Sequence, residues 1–129
     1  MTITPFLMFE GAAEAAMNFY ASLFPDATID NITRFGPGGP GREGSVMQAT
    51  MSLKGQKLFF FDSPMKHAFT FTPSISLMVD CDSAEEVDRL FTALSDQGKT
   101  LMPLDAYPFA RRFAWVDDRF GVSWQLRFS

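Results

Sequence analysis

The chain has 129 residues but only one cysteine, Cys81, and one histidine, His67. A single thiol cannot close an intrachain disulfide and leaves no Cys-x-x-Cys pair for zinc or redox exchange. A mechanism that needs an imidazole has only His67 to draw on. Basic residues are outnumbered, with 11 Lys and Arg against 15 Asp and Glu, for a formal net charge of −4. No basic patch is visible, so nucleic acid is not an expected partner. No apolar run is long enough to span a bilayer. The first residues lack the cationic start, apolar stretch and small-residue cleavage site of a secretory signal. These absences point to a cytoplasmic protein without a membrane partner.

What is abundant is apolar surface. Hydrophobic residues make up 47% of the chain and Phe alone occurs 15 times, which implies a thick aromatic core or an apolar cavity. The size suits one domain. Its most informative stretch is the last one, Trp115 to Ser129. There a strand and a polar turn with Gly121 lead into a second strand, in which Val122, Trp124, Leu126 and Phe128 alternate with Ser123, Gln125 and Arg127. One face requires a core and the other is polar. Residues 51–63 repeat the pattern, setting Gly55 against Gly121 and Phe59 against Gln125. Self-similarity on this scale decides architecture before any short motif does.

Each copy opens with an apolar strand, at 3–9 and 74–79, followed by a helix. In the first helix Ala13, Ala16, Met17, Tyr20, Leu23 and Phe24 recur at helical spacing until Pro25. In the second, Ser83-Ala84-Glu85-Glu86 is a capping box ahead of Val87, Leu90, Phe91 and Leu94, and Gly98 stands where a left-handed cap is expected. Three strands follow each helix: 28–35, 46–53 and 57–61 in the first copy, then 99–104, 111–116 and the closing strand in the second. The first of these reads as an edge. In 46–53, strict alternation puts Met47, Ala49, Met51 and Leu53 on the helix-facing side. The expected fold is α+β, a single domain of two βαβββ units, about 1–63 and 70–129, whose curved mixed sheets surround a cleft.

Several residues are candidates for that cleft. Arg111 and Arg112 are adjacent in a strand and must point to opposite faces. Alternation puts Arg111 with Phe113 and Trp115, a guanidinium beside two rings that suits an aromatic or carboxylate-bearing molecule. The alternative is that the rings fill the core and Arg111 is solvated. Gln125, with Ser123 and Arg127, lies on the polar face of the last strand, and Tyr107 could polarise a ligand oxygen. The loop 36–44, with five glycines and two prolines, is either a lid presenting Arg42 to an anion or a plain connection. It has no Gly-Lys-Ser/Thr and so no phosphate cradle. His67 falls in the connection between units, and Cys81 has no neighbour that would activate it.

The duplicated pattern, together with Asn18-Phe19-Tyr20, Glu85-Glu86-Val87-Asp88-Arg89-Leu90, Tyr107-Pro108-Phe109 and Asp118-Arg119-Phe120-Gly121-Val122-Ser123-Trp124-Gln125-Leu126, resembles the vicinal oxygen chelate superfamily of glyoxalase, bleomycin-resistance and dioxygenase proteins. Within it the chain is similar to the PhnB-like branch, whose members are often labelled 3-demethylubiquinone-9 3-methyltransferase. The resemblance covers essentially the whole sequence. It implies a homodimer and a small-molecule cleft. In metal-dependent members four inward side chains, usually His and Glu, hold a divalent cation, and the matching positions here are Pro5, Phe59, Ser74 and Gln125. None is a strong ligand, so neither metal nor cofactor is expected. The implied activity is binding of a partly apolar organic molecule, lined by Gln125, Trp115, Phe113, Arg111, Phe59, Ser74 and Tyr107. The alternatives are a metal-dependent glyoxalase- or dioxygenase-type enzyme, or a methyltransferase acting on a ubiquinone precursor. The methyl-transfer reading lacks the Gly-rich strand-to-helix turn of a typical donor site, and no general base stands in a recognisable constellation.

Overall fold

A computed structural model describes residues 1–129. It divides into two compact units, Met1–His67 and Ala68–Ser129. The first contains β1 (Phe6–Phe9), α1 (Ala13–Leu23), β2 (Thr28–Arg34), β3 (Val46–Leu53) and β4 (Gln56–Asp62). The second contains β5 (Leu77–Asp80), α2 (Ala84–Ser95), β6 (Lys99–Tyr107), β7 (Ala110–Asp117) and β8 (Ser123–Phe128). The sheet orders are β1-β4-β3-β2 and β5-β8-β7-β6, so the same topology is built twice. In each unit the first and last strands run parallel and the other pairs antiparallel. Neither helix is long and apolar enough to cross a membrane.

In the first unit the apolar stripe of α1 (Ala13, Ala16, Met17, Tyr20 and Leu23) is buried with Ala49, Met51, Leu58 and Phe60 of the sheet. The Phe60 ring lies 5.8 Å from Phe9 and 6.2 Å from Tyr20. No side chain next to α1 caps its N-terminus. Instead Asp62 reaches across from β4, its Oδ1 accepting the Gly11 and Ala13 amides and its Oδ2 the Val46 amide. An anionic acceptor thus satisfies two donors at the helix start and one at a strand start, and its charge opposes the positive end of the helix dipole. The loop after β2 folds back on the buried Phe35, whose main chain bonds Gly44 and Ser45. A Cβ at Gly41 would lie 2.6 Å from the Phe35 ring, so that position has no room for a side chain.

In the second unit Val87, Leu90 and Leu94 of α2 are buried with Ala114, Val116, Trp124 and Leu126. Ser83 caps α2 as the sequence requires, its hydroxyl accepting the Glu86 amide at 3.1 Å. The Glu86 carboxylate reaches one residue further back, to the Asp82 amide. Asp118 pins the β7–β8 turn. Its Oδ1 accepts the Phe120 and Val122 amides, and its Oδ2 accepts the Trp124 indole N–H at 2.9 Å.

Three expectations are corrected. Met47 does not join the helix-facing side with Met51: it is 43% exposed, because the β2–β3 register jumps from Thr33↔Gln48 to Arg34↔Val46 and leaves Met47 in a bulge. The left-handed residue after α2 is Gln97, at φ 60°, not Gly98. Gly98 is required for a different reason, since a Cβ there would stand 2.2 Å from the Asp117 carbonyl oxygen. Finally, β1 and β5 begin at Phe6 and Leu77, three residues later than alternation suggested. Ser74 therefore lies outside the sheet.

Candidate functional site

Because α2 covers one face of the second sheet, alternation assigns every second residue of β7 and β8 to the other, open face. Arg112 confirms the sidedness by pairing with Asp88 of α2 at 2.8 Å. The open face then carries Arg111, Phe113, Trp115 and Asp117 from β7. The register sets Phe113 opposite Arg127, Trp115 opposite Gln125, and Asp117 opposite Ser123. On β5, Met78 pairs with Gln125 and Asp80 with Arg127. Five of the seven expected site residues, Arg111, Phe113, Trp115, Gln125 and Tyr107, are thus in one unit and near one sheet face. Phe59 belongs to the first unit. Ser74 is exposed and its hydroxyl lies 2.9 Å from that of Thr72.

The face has two ends. At one, Phe113 is almost fully buried, with the rings of Phe109 and Tyr107 edge-on to it at 4.9 and 5.6 Å. A hollow of about 490 Å³ opens there, lined by residues 106–111 and Ser129. Tyr107 donates its hydroxyl to the Pro103 carbonyl at 2.7 Å. Arg111 donates Nε to the main-chain oxygen of Ser129 and lies 4.2 Å over the Phe128 ring. Both polar tips are therefore already engaged. Phe113 is packed beneath these rings, and Arg111 is exposed at the rim.

At the other end Trp115 is half-buried beside Gln125. Its indole N–H donates to Ser123 Oγ at 2.8 Å, and Ser123 Oγ lies 2.9 Å from Ser76 Oγ. This chain fixes the ring plane while leaving part of the ring uncovered. Asp80 pairs with Arg127 at 2.7 Å, which holds the guanidinium above its ordinary pKa. Ser76, Met78, Asp80 and Asp117, with Ser123 and Arg127, are the members of this face that the candidate set omitted. Alternation from Trp115 reaches Asp117, but the register that brings Met78 beside Gln125 requires the strand pairing.

In the first unit the equivalent open face is apolar. Phe6 pairs with Phe59 and Met8 with Phe61, and the Phe6 ring lies 6.3 and 5.8 Å from the rings of Phe59 and Phe61. The first-strand neighbours of Phe59 and Gln125 are thus Phe6 and Met78. Two rings, a thioether and a neutral amide do not fit a divalent cation that prefers imidazole and carboxylate. No cluster of three or more His, Cys, Asp or Glu occurs in either unit.

The remaining candidates stand elsewhere. His67 Nε2 lies 3.0 Å from Ser63 Oγ and its amide donates to Glu10, closing the end of the first unit. Cys81 is buried, and burial with the nearby Glu86 charge pushes its thiol up to about 11, so it is not an activated nucleophile.

Comparison with known proteins places this architecture. The family model described as 3-demethylubiquinone-9 3-methyltransferase matches residues 1–127. A solved PhnB protein from Bacillus cereus is 51% identical, with both chains covered completely and a TM-score of 0.97. Protein YjdN of Escherichia coli K12 is 24% identical, over 98% of this chain and 94% of its own. A glyoxalase/bleomycin resistance protein from Albidiferax ferrireducens T118 shares the fold at 15% identity, with 99% of each chain covered and a TM-score of 0.61.

Proposed function

The chain belongs to the 3-demethylubiquinone-9 3-methyltransferase family, the PhnB-like branch of the vicinal oxygen chelate superfamily, and from that premise we propose that it binds a small, partly apolar organic molecule without a firmly held metal. The observation that carries this reading is the open sheet face of the second unit, where the partly uncovered Trp115 lies opposite Gln125 and Met78 flanks Gln125 on its other side. A ring held at a fixed angle offers stacking area at little entropic cost, and the neutral amide beside it can orient a ligand oxygen or nitrogen. The aromatic face of the first unit, with Phe59, is a second apolar surface of the same kind.

The donor chemistry of the superfamily's metal does not fit the residues present, so no step is assigned to one. The methyl donor implied by the family's description finds no better fit. The Gly-rich stretch joins the antiparallel strands β2 and β3 and packs on Phe35. Each helix N-terminus already has a side-chain acceptor of its own, Asp62 on the Ala13 amide of α1 and Ser83 on the Glu86 amide of α2. Binding therefore explains more of the site than methyl transfer does. Homodimerisation fits the exposed apolar side chains Phe6 (60%), Ile75 (72%) and Phe109 (56%), and a cytoplasmic location fits the single buried thiol.

A thermal-shift screen of small aromatic and aliphatic compounds, followed by titration of the hits, tests the reading. Hits should bind the wild type, lose most of their affinity in Trp115→Ala and lose less of it in Gln125→Ala. Hits that bind Trp115→Ala as well as the wild type would refute it. Turnover of a hit, abolished in Gln125→Ala, would replace it with an enzymatic one.

A further inference from the structure

The hollow at the β6–β7 hairpin plays no part in the Trp115 reading. Tyr107 pairs with Ala110 across the turn Pro108-Phe109, and these four residues line the hollow with Ala106, Arg111 and Ser129. Its volume of about 490 Å³ lies within the range of about 300–1,000 Å³ usual for small-molecule sites. The apolar wall is firmly held. The Tyr107 and Phe109 rings stack with centroids 5.4 Å apart and planes 21° apart, and both stand edge-on to the buried Phe113. The Tyr107 hydroxyl is tied to the Pro103 carbonyl. Phe109 is nevertheless 56% exposed, an uncovered ring on a fixed mount.

Arg111 is the only charged side chain in the lining. Its engagement with the Ser129 main chain is through Nε alone, and its guanidinium carbon lies over the Phe128 ring. Those contacts orient the group and leave the two terminal nitrogens, an edge that fits a carboxylate, without an acceptor. Arg34, Arg112, Arg119 and Arg127 each pair with an acid, whereas Arg111 pairs with none. The acid nearest in sequence, Asp105, turns Oδ1 onto the Ala106 amide and stands outside the lining.

We infer that this hollow is a second ligand site, taking a small carboxylate with a flat apolar body. The body lies on Phe109 and Tyr107, and the carboxylate accepts from the terminal nitrogens of Arg111. This goes beyond the Trp115 reading and does not rest on it. An ammonium would meet like charge at Arg111, and a neutral alcohol would gain little beyond the ring contact. One solvated ion pair and one exposed ring support an affinity of only about millimolar, weaker than the hits expected on the Trp115 face.

The test is NMR titration with 3-phenylpropionate, 3-phenylpropanol and 3-phenylpropylammonium, read at the Phe109 amide for the hollow and at the Trp115 indole N–H for the open face. The carboxylate should move Phe109 and bind there most tightly, in the wild type and in Trp115→Ala alike. Arg111→Gln, checked for an unchanged melting profile, should weaken it by about fivefold, the upper end for an exposed ion pair, and leave the alcohol unaffected. Phe109→Ala, followed at the Ala110 amide, should weaken carboxylate and alcohol together. If the carboxylate has no advantage over the alcohol, or keeps it in Arg111→Gln, Arg111 only fastens the end of β8 and the site is overturned. If the probes move Trp115 and not Phe109, the site is overturned while the Trp115 reading stands. If Phe109 responds to protein concentration and to no probe, a second copy of the chain covers the hollow and the site is likewise overturned.

Discussion

The carboxylate of Asp62, the last residue of β4, accepts the amide of Ala13, the first residue of α1, at 3.0 Å. The same side chain also serves Gly11 and Val46, so one acid ties a helix start to two strands. Asp62→Ala would leave three donors without an acceptor, partly rehydrated. Each unsatisfied buried donor costs about 1–3 kcal/mol, and a total loss of about 3 kcal/mol is expected in urea unfolding. Asp62→Asn should fall between, since it keeps one acceptor oxygen. A loss below about 1 kcal/mol for Asp62→Ala would show that the amides find water instead.

The turn after α2 predicts a contrast between neighbours. Gln97→Gly relieves a left-handed conformation that costs a non-glycine residue about 1 kcal/mol, and should be neutral or slightly stabilising. Gly98→Ala drives a Cβ to within 2.2 Å of the Asp117 carbonyl oxygen, so the β6 start must shift. It should destabilise by about 2 kcal/mol or more, as overpacking does. Melting curves of the two single variants check the order.

Acid should weaken the first unit through Glu14. Its hydrogen bond and charge pairing with Arg34 hold the carboxyl below its ordinary value of 4.5, and Arg34 is raised in turn. A folded value below the unfolded one contributes stability that is present above pH 4.5 and lost as the pH falls through the folded value. The pair is exposed, so the contribution is small. Glu14→Gln should flatten the stability curve below pH 4.5 and leave the slope above pH 6 unchanged. An unchanged acid limb would remove Glu14 from the account.

Added metal should do nothing. Ligands that bind only the native state raise its melting temperature, and Phe6, Phe59, Met78 and Gln125 offer no anionic donor. Zinc, manganese or nickel at stoichiometric concentration is expected to leave the melting temperature within scatter. A rise that Gln125→Ala abolishes would contradict the assignment.

The parts of the fold legible in the sequence are those specified by near neighbours. Ser83 and the spacing of Val87, Leu90 and Leu94 define α2 locally, and Trp124 and Leu126 alternate without interruption into the core. The cap of α1 was not legible, because the residue that provides it lies 49 positions away. Met47 misled because alternation presumes an unbroken ladder and a bulge breaks it. The same limit applies to the site. Arg111, Phe113 and Trp115 could be sorted onto one face by counting in twos, whereas Gln125 opposite Trp115 and Met78 beside Gln125 depend on the strand registers.

Both opening strands, Phe6–Phe9 and Leu77–Asp80, are four residues long, sit at a sheet edge and are held by a single parallel neighbour. Each is fastened otherwise only by a few side-chain contacts, among them the Phe9 ring on Phe60 and Asp80 with Arg127. Amide protons on these segments should therefore trade with deuterium well before those of β3, β7 and β8, as local opening would allow. Each opening strand also presents the residue, Phe6 or Met78, that borders an open face. The border of either face is then the least firmly held part of its sheet.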